Sequence, residues 1–167
     1  DLIELFEKGQ LDVVVLPETQ KNYGKNLTNS VSHVLMKEEM WLVGSGKDEF
    51  YPSTVGLQEI KRIPYVHFAN EFPDFDKQLA SQLKDIPAVF ESSNVGTLKR
   101  VIESGLGIGF LPAHSVKKQI RGGRLNKIAV TDFEYKVEFI YYRKNTGPVA
   151  ESAEIFFQAL TGDHERS

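Results

Sequence analysis

Residues that could do chemistry are few and scattered in this sequence. The four histidines are far apart, and none has a second ligand-type residue three or four positions along a helix. The chain has no cysteine, which excludes a disulfide framework, a cysteine zinc site and a thiol nucleophile. The serine hydrolase pattern Gly-x-Ser-x-Gly is also missing. We therefore predict no catalytic residue, no metal and no cofactor.

The strongest ligand signal is the polar cluster Ser92, Ser93 and Asn94. All three are good N-cap residues, and an apolar pattern at helical spacing follows them up to Gly105. The start of a helix presents free backbone N–H groups and the positive end of the helix dipole, which together favour an anion. Plain capping of the helix is the competing interpretation for each residue taken alone.

The glycine-rich segment from Gly105 to Gly109 superficially resembles a dinucleotide-binding motif. Such a motif follows a strand and opens a helix. Here the glycines close a helix and open the apolar strand Ile108–Leu111, so we interpret them as a helix end with close helix–strand packing.

Composition narrows the class of protein. The 167 residues are 41% hydrophobic and 26% charged, as in ordinary globular proteins. The net charge of -3 argues against nucleic-acid binding by this chain, and no apolar run approaches the roughly 18 residues that span a bilayer. No signal peptide is evident at the start, and the simplest compartment is the cytoplasm.

Short apolar strands alternate with helices, which predicts an α/β fold with mostly parallel sheets. The run Leu11–Leu16 is expected to be a strand buried on both faces. A helix over 76–84 is expected to be capped by Asp76. A last helix from Pro148 is expected to bury one stripe, formed by Val149, Ala153, Phe156, Phe157 and Leu160.

Several of these segments, in this order, resemble LysR-type transcriptional regulators. The most recognisable is residues 91–112, a polar N-cap and helix that end in Gly-Leu-Gly-Ile-Gly-Phe-Leu-Pro. A helix ending in Gly9, then Leu11-Asp12 and an apolar strand, is similar to a second signature of the family. Met40-Trp-Leu-Val43 and Gly123-Arg-Leu125 resemble two further ones.

The resemblance implies a regulatory domain with a two-lobed, periplasmic-binding-protein-like (type 2) fold and two crossover connections. The first lobe would comprise residues 1–45 and 126–162, the second 46–125, and the tail 163–167. The winged helix-turn-helix, the linker helix and the opening strands of the first lobe would lie outside this sequence. A small effector, anionic or polar, would bind in the cleft between the lobes. By position, its contacts would be Pro17, Glu18, Thr19, His67, Phe68, Ala69, Asn70, Ser92, Ser93, Asn94, Gly107 and Ile108.

The resemblance also implies partners. The intact protein would be a homo-oligomer, would bind DNA only through its missing N-terminal domain, and would have no membrane contact. A solute-binding protein of the same fold is the alternative. An enzyme built on this fold is a third possibility, but no catalytic constellation supports it.

Overall fold

The computed structural model describes residues 2–17, 27, 29–47, 51–69, 72–145 and 150–162. The predicted site residues Glu18, Thr19 and Asn70 lie outside these ranges. The described chain forms two compact units, one of residues 1–37 and 137–167, the other of residues 38–136. None of the described helices is long and apolar enough to cross a membrane.

The first unit is a small sheet covered by helices. Its elements are α1 (Leu2–Glu7), β1 (Val13–Pro17), the first part of β2 (Ser30–Ser45), β8 (Lys136–Lys144) and α5 (Ala150–Gly162). Strand β1 pairs with β8 in antiparallel register, with Val14 opposite Tyr142. The core consists of Ile3, Phe6, Val14, Leu16, Leu27 and Tyr142.

The second unit holds the remaining elements. These are the rest of β2, β3 (Thr54–Val55), a 3-10 helix (Leu57–Arg62), β4 (Tyr65–Phe68), α2 (Pro73–Gln82), β5 (Ala88–Ser92), α3 (Val95–Glu103), β6 (Gly109–Pro112), α4 (Ala113–Arg121) and β7 (Leu125–Val130).

Strand pairing in the second unit is mixed. Strand β2 pairs antiparallel with both β6 and β7, whereas β3 pairs parallel with β7 and β4 parallel with β5. The expectation of mostly parallel sheets is therefore wrong for the described strands. An aromatic cluster of Phe75, Phe110, Phe133 and Tyr135, packed edge to face, lies in the core.

The structure corrects the prediction for the run Leu11–Leu16. Side chains of β1 alternate between buried and exposed, and Val15 is 37% exposed. Its antiparallel pairing with β8 fits this pattern, because antiparallel sheets commonly leave one face in contact with solvent. A run of valines fits a one-faced and a two-faced strand equally well, so composition alone could not decide.

Two helix predictions are corrected as well. Helix α2 begins at Pro73, after the N-cap Phe72, so Asp76 lies inside the first turn and does not cap it. Proline suits the first helical position because its fixed φ is helical and it has no N–H to satisfy. In α5, Ala153 is buried as expected, but Phe156 is 53% exposed.

Strand β7 was not predicted. Two local predictions are confirmed: Asn94 caps α3, and Gly105 has φ 85° after its end. In each of these the signal is local, because a cap or a positive φ depends on the residues beside it.

Candidate functional site

The carboxyl ends of β4 and β5 meet at one edge of the second unit. In the parallel register Phe68 lies opposite Ser92, and the Ala69 N–H donates to the Ser92 carbonyl at 3.1 Å. Helix α3 begins three residues after Ser92. This places His67, Phe68 and Ala69 beside Ser92, Ser93 and Asn94, at the edge of a parallel sheet where ligands commonly bind.

The start of α3 presents donors outward. Asn94 Oδ1 accepts the Thr97 N–H at 2.9 Å, and the Asn94 N–H donates to Ser92 Oγ at 3.1 Å. The amides of Val95 and Gly96 come too early in the helix for an intrahelical acceptor. The side chains of Ser93 and Asn94 are exposed, so this end of the helix is open to a ligand.

Beneath this edge lies an acid–base cluster. The half-buried His67 has Nε2 4.0 Å from Asp76 Oδ1 on α2, and His67 pairs in register with Glu91 on β5. Burial raises the pKa of Asp76, His67 opposes that rise, and Glu91 adds to it. Burial and Asp76 also raise the pKa of the Tyr65 hydroxyl. Asp76 Oδ1 is buried and accepts no hydrogen bond from the described residues.

Two further residues predicted for the site lie at the other end of α3. Gly107 and Ile108 follow the far end of α3 and pack against the start of β4, where the Ile108 N–H donates to the Pro64 carbonyl at 2.9 Å. A Cβ at Gly107 would lie 2.3 Å from that same carbonyl oxygen. Both residues thus position β4. Pro17 is the half-buried last residue of β1, in the first unit.

The structure reveals a concavity that the sequence did not indicate. A cleft of about 510 Å³ opens within the second unit. Its lining comes from β2, β6, β7 and the segment after β7, namely Glu39, Met40, Trp41, Leu42, Phe110, Lys127, Ile128, Ala129, Val130, Thr131, Asp132, Phe133, Glu134 and Tyr135. Residues so distant in sequence meet only through strand pairing, so no local pattern could have predicted them.

Trp41, the only tryptophan of the chain, organises the polar part of this cleft. Its Nε1 donates to Glu39 Oε2 at 2.6 Å, and Lys127 Nζ lies 3.9 Å from the centre of its ring. The hydrogen bond from Trp41 is the main reason that the pKa of Glu39 is lowered, with Lys136 and Lys127 contributing. Its position next to two cations makes Trp41 a natural fluorescent reporter.

The groups at these places are suited to binding a small molecule. Among the described residues, no group of three or more His, Asp or Glu side chains is arranged to hold a metal ion. The edge of β4 and β5 offers amides, hydroxyls and one imidazole, which suit recognition of a small polar molecule.

The whole chain resembles known proteins. It matches the family model of the LysR substrate binding domain over residues 1–164. Comparison with curated protein sequences gave no match.

Solved structures with the same fold include regulatory proteins. The bromide ion-bound regulatory domain of HypT from Salmonella typhimurium has a TM-score of 0.69 at 18% identity, covering 97% of this chain and 78% of that one. Full-length HypT, a hypochlorite-specific LysR-type transcriptional regulator, has a TM-score of 0.72 at 18% identity, with coverages of 96% and 55%. A full-length OxyR variant from Pseudomonas aeruginosa has a TM-score of 0.65 at 14% identity, with coverages of 95% and 55%.

The chain thus spans just over half the length of these full-length proteins. At such identities the structural likeness shows the fold, while the family model, matched over nearly the whole chain, shows the family. The chain belongs to the LysR substrate binding domain family and is an effector-binding domain of a LysR-type transcriptional regulator, with the periplasmic-binding-protein-like α/β fold of that family.

Proposed function

We propose that this domain binds a small anionic or polar effector at the carboxyl edge of β4 and β5, and releases it unchanged. The observation that carries the proposal is the juxtaposition of the half-buried His67 with the exposed Ser93 and Asn94 at the start of α3. The free amides and the helix dipole favour a negative group there. Pro17, Glu18, Thr19 and Asn70 remain predicted contacts.

The carboxylates near His67 disfavour an anion there, whereas the start of α3 favours one. Asp76 and Glu91 lie on the His67 side of the edge, so an anion is best placed against the amides of Val95 and Gly96. The bromide ion bound by the regulatory domain of HypT supports anions as the first class to test.

Because this chain has no cysteine, its sensing is proposed to depend on binding and not on cysteine oxidation.

The wider role follows from the family. We infer that the effector controls DNA binding by a winged helix-turn-helix elsewhere in the full-length protein, which acts as a cytoplasmic homo-oligomer. The family match favours this role over that of a solute-binding protein. The domain is proposed to have no enzymatic activity.

A thermal-shift screen tests the ligand class. The panel contains bromide, sulfate, acetate, benzoate and glycine at matched ionic strength. A ligand present at 100 times its Kd should stabilise the domain by about 2.7 kcal/mol. No stabilisation by any of the four anions, together with stabilisation by zwitterionic glycine, would reject an anionic effector.

Two variants locate the site. Ser93→Ala removes an exposed hydroxyl, and Asn94→Asp keeps the capping oxygen of α3 but adds a negative charge. Both should stay folded, and Asn94→Asp should weaken the anion found in the screen by tenfold or more. Lys77→Gln, on the exposed surface of α2, is the matched control. If Asn94→Asp binds that anion as well as the wild type does, the site is elsewhere.

A further inference from the structure

Positive charge is concentrated in one segment of this acidic chain. Residues 104–131 contain five lysines and arginines, and all 23 aspartates and glutamates lie outside them. The five are Lys117, Lys118, Arg121, Arg124 and Lys127. The net charge of -3 therefore hides a strongly basic region.

Helix α4 sorts these charges onto one face. Ala113 and Val116 are buried against the unit, while Lys117, Lys118 and Arg121 are exposed. Together with His114 these three residues follow the spacing i, i+3, i+4, i+7, which places them on one side of a helix. Lys117, Lys118 and Arg121 thus form a basic patch on the solvent side of α4, while His114 Nδ1 is hydrogen-bonded to Glu38 Oε2.

The basic surface continues from α4 onto β7, the two elements being packed together. Arg124 and Lys127 are exposed beside it. Trp41 lies where helix and strand meet, with Lys127 Nζ at 3.9 Å and Lys117 Nζ at 5.9 Å from its ring centre. An aromatic ring between cations adds a flat stacking surface to the charge.

This charge is barely neutralised within the protein. Among the described residues, only Arg124 of the five has an ion pair, with Glu103 at 3.9 Å. Lys117, Lys118 and Arg121 have no carboxylate partner there. Lys127 has no ion pair but helps to lower the pKa of Glu39, and Lys136 nearby is paired with both Glu134 and Glu39. Mutual repulsion of unpaired cations costs stability, so their clustering calls for an external anion.

We propose that the basic surface formed by Lys117, Lys118, Arg121, Arg124 and Lys127 binds the phosphate backbone of DNA. Four of the five cations have no ion pair among the described residues, so the surface provides about four phosphate contacts. A domain of a transcriptional regulator works close to DNA, so even weak phosphate contacts act at high local concentration. The surface is separate from the start of α3 and does not depend on the effector.

Fluorescence anisotropy with a labelled 20-base-pair duplex of arbitrary sequence tests this proposal on the chain as it stands. With about four phosphate contacts, the slope of log K against log[salt] should be about −3.6. Raising the salt from 50 to 200 mM should therefore weaken binding about a hundredfold. Emission from Trp41 should change and saturate over the same range of duplex concentration.

The decisive variant combines Lys117→Gln, Lys118→Gln and Arg121→Gln. It should bind the duplex at least tenfold more weakly and reduce the salt slope to about −1. The matched control combines Lys61→Gln, Arg62→Gln and Lys77→Gln, which removes the same charge from exposed positions of the same unit. The control should retain wild-type affinity within twofold, and circular dichroism should show both proteins folded.

Three results would overturn the proposal. The first is no duplex binding at 50 mM salt. The second is an equal loss of affinity in the control, which would indicate net charge alone. The third is binding of polyglutamate as tight as that of the duplex and lost in the same α4 variant, which would assign the surface to an acidic protein partner.

Discussion

Helices α3 and α4 both present a site-like surface, but they recognise charge in different ways. The start of α3 uses backbone amides and two neutral side chains, Ser93 and Asn94. The outer face of α4 uses the long cationic side chains of Lys117, Lys118 and Arg121, which have no carboxylate partner among the described residues. Fixed amides suit one small ligand in one orientation, whereas flexible cations suit a repeating polyanion. One unit can thus carry a selective site and an unselective one.

The largest expected effect is a loss of stability when a glycine beside α3, but not one beside α4, is replaced by alanine. Gly107→Ala should destabilise the domain by about 2–3 kcal/mol, because the new Cβ would lie 2.3 Å from the Pro64 carbonyl that fixes β4. Gly122→Ala, after α4, places its Cβ 3.4 Å from the nearest atom and serves as the control. The urea unfolding midpoints of the two variants measure the difference. Equal midpoints would mean that β4 tolerates displacement at this contact.

A crossed experiment tests whether the two surfaces are independent. Asn94→Asp should weaken the anion found in the screen by tenfold or more, about 1.4 kcal/mol, and leave duplex affinity within twofold. The α4 triple variant should do the reverse. Titrations of both variants with both ligands measure this. A loss of both affinities in either variant would show that the surfaces are coupled.

A smaller effect is the difference in stability between a variant of the capping residue of α3 and a variant of an exposed lysine of α4. Asn94→Ala should cost about 1 kcal/mol of stability, because Thr97 loses its capping acceptor. Lys118→Gln should change stability by less than about 0.5 kcal/mol, since this exposed side chain holds nothing in place. Chemical denaturation of both variants provides the comparison. A loss with Lys118→Gln as large as with Asn94→Ala would contradict the view that α4 carries unpaired charge.

The sequence predicts the local part of this architecture well. The cap of α3, the glycine after it and strand β6 depend on neighbours within a few residues, and the structure has them where the pattern placed them. The pairing of the α3 start with β4 was predicted only through the family resemblance. Whether a ligand binds there stays a prediction.

Long-range features could not be read from the chain. His67 lies on strand β4 and Asp76 on helix α2, whose start the sequence pattern placed at the wrong residue. The cleft around Trp41 is lined by strands β2 and β7, which are distant in sequence. The basic face of α4 was present in the sequence spacing, but net charge concealed it. The net charge is summed over the whole chain, whereas a ligand contacts only one surface and its local charge.

The smallest effect concerns pH and the cluster beneath the α3 edge. Burial raises the pKa of Asp76 above the ordinary aspartate value of about 3.9, so the folded state binds this proton more tightly than the unfolded state. Its contribution to stability is fully present below that ordinary value and is lost as the pH rises through the raised pKa. Asp76→Asn removes this loss, so the variant should gain stability relative to the wild type as the pH rises from 4 to 7.

His67 and Glu91 sharpen this last test, because they act on Asp76 in opposite directions. Glu91→Gln removes a charge that raises the pKa of Asp76, so the loss of stability should set in at lower pH and become smaller. His67→Gln removes the group that lowers this pKa, so the loss should extend to higher pH. Urea unfolding at several pH values measures all three variants, and the changes should be modest because Asp76 is partly exposed. Parallel pH profiles for Asp76→Asn and the wild type would show that this carboxyl group titrates alike in the folded and unfolded states. The titration of Asp76 beneath the start of α3 would then have no influence on the stability of the domain.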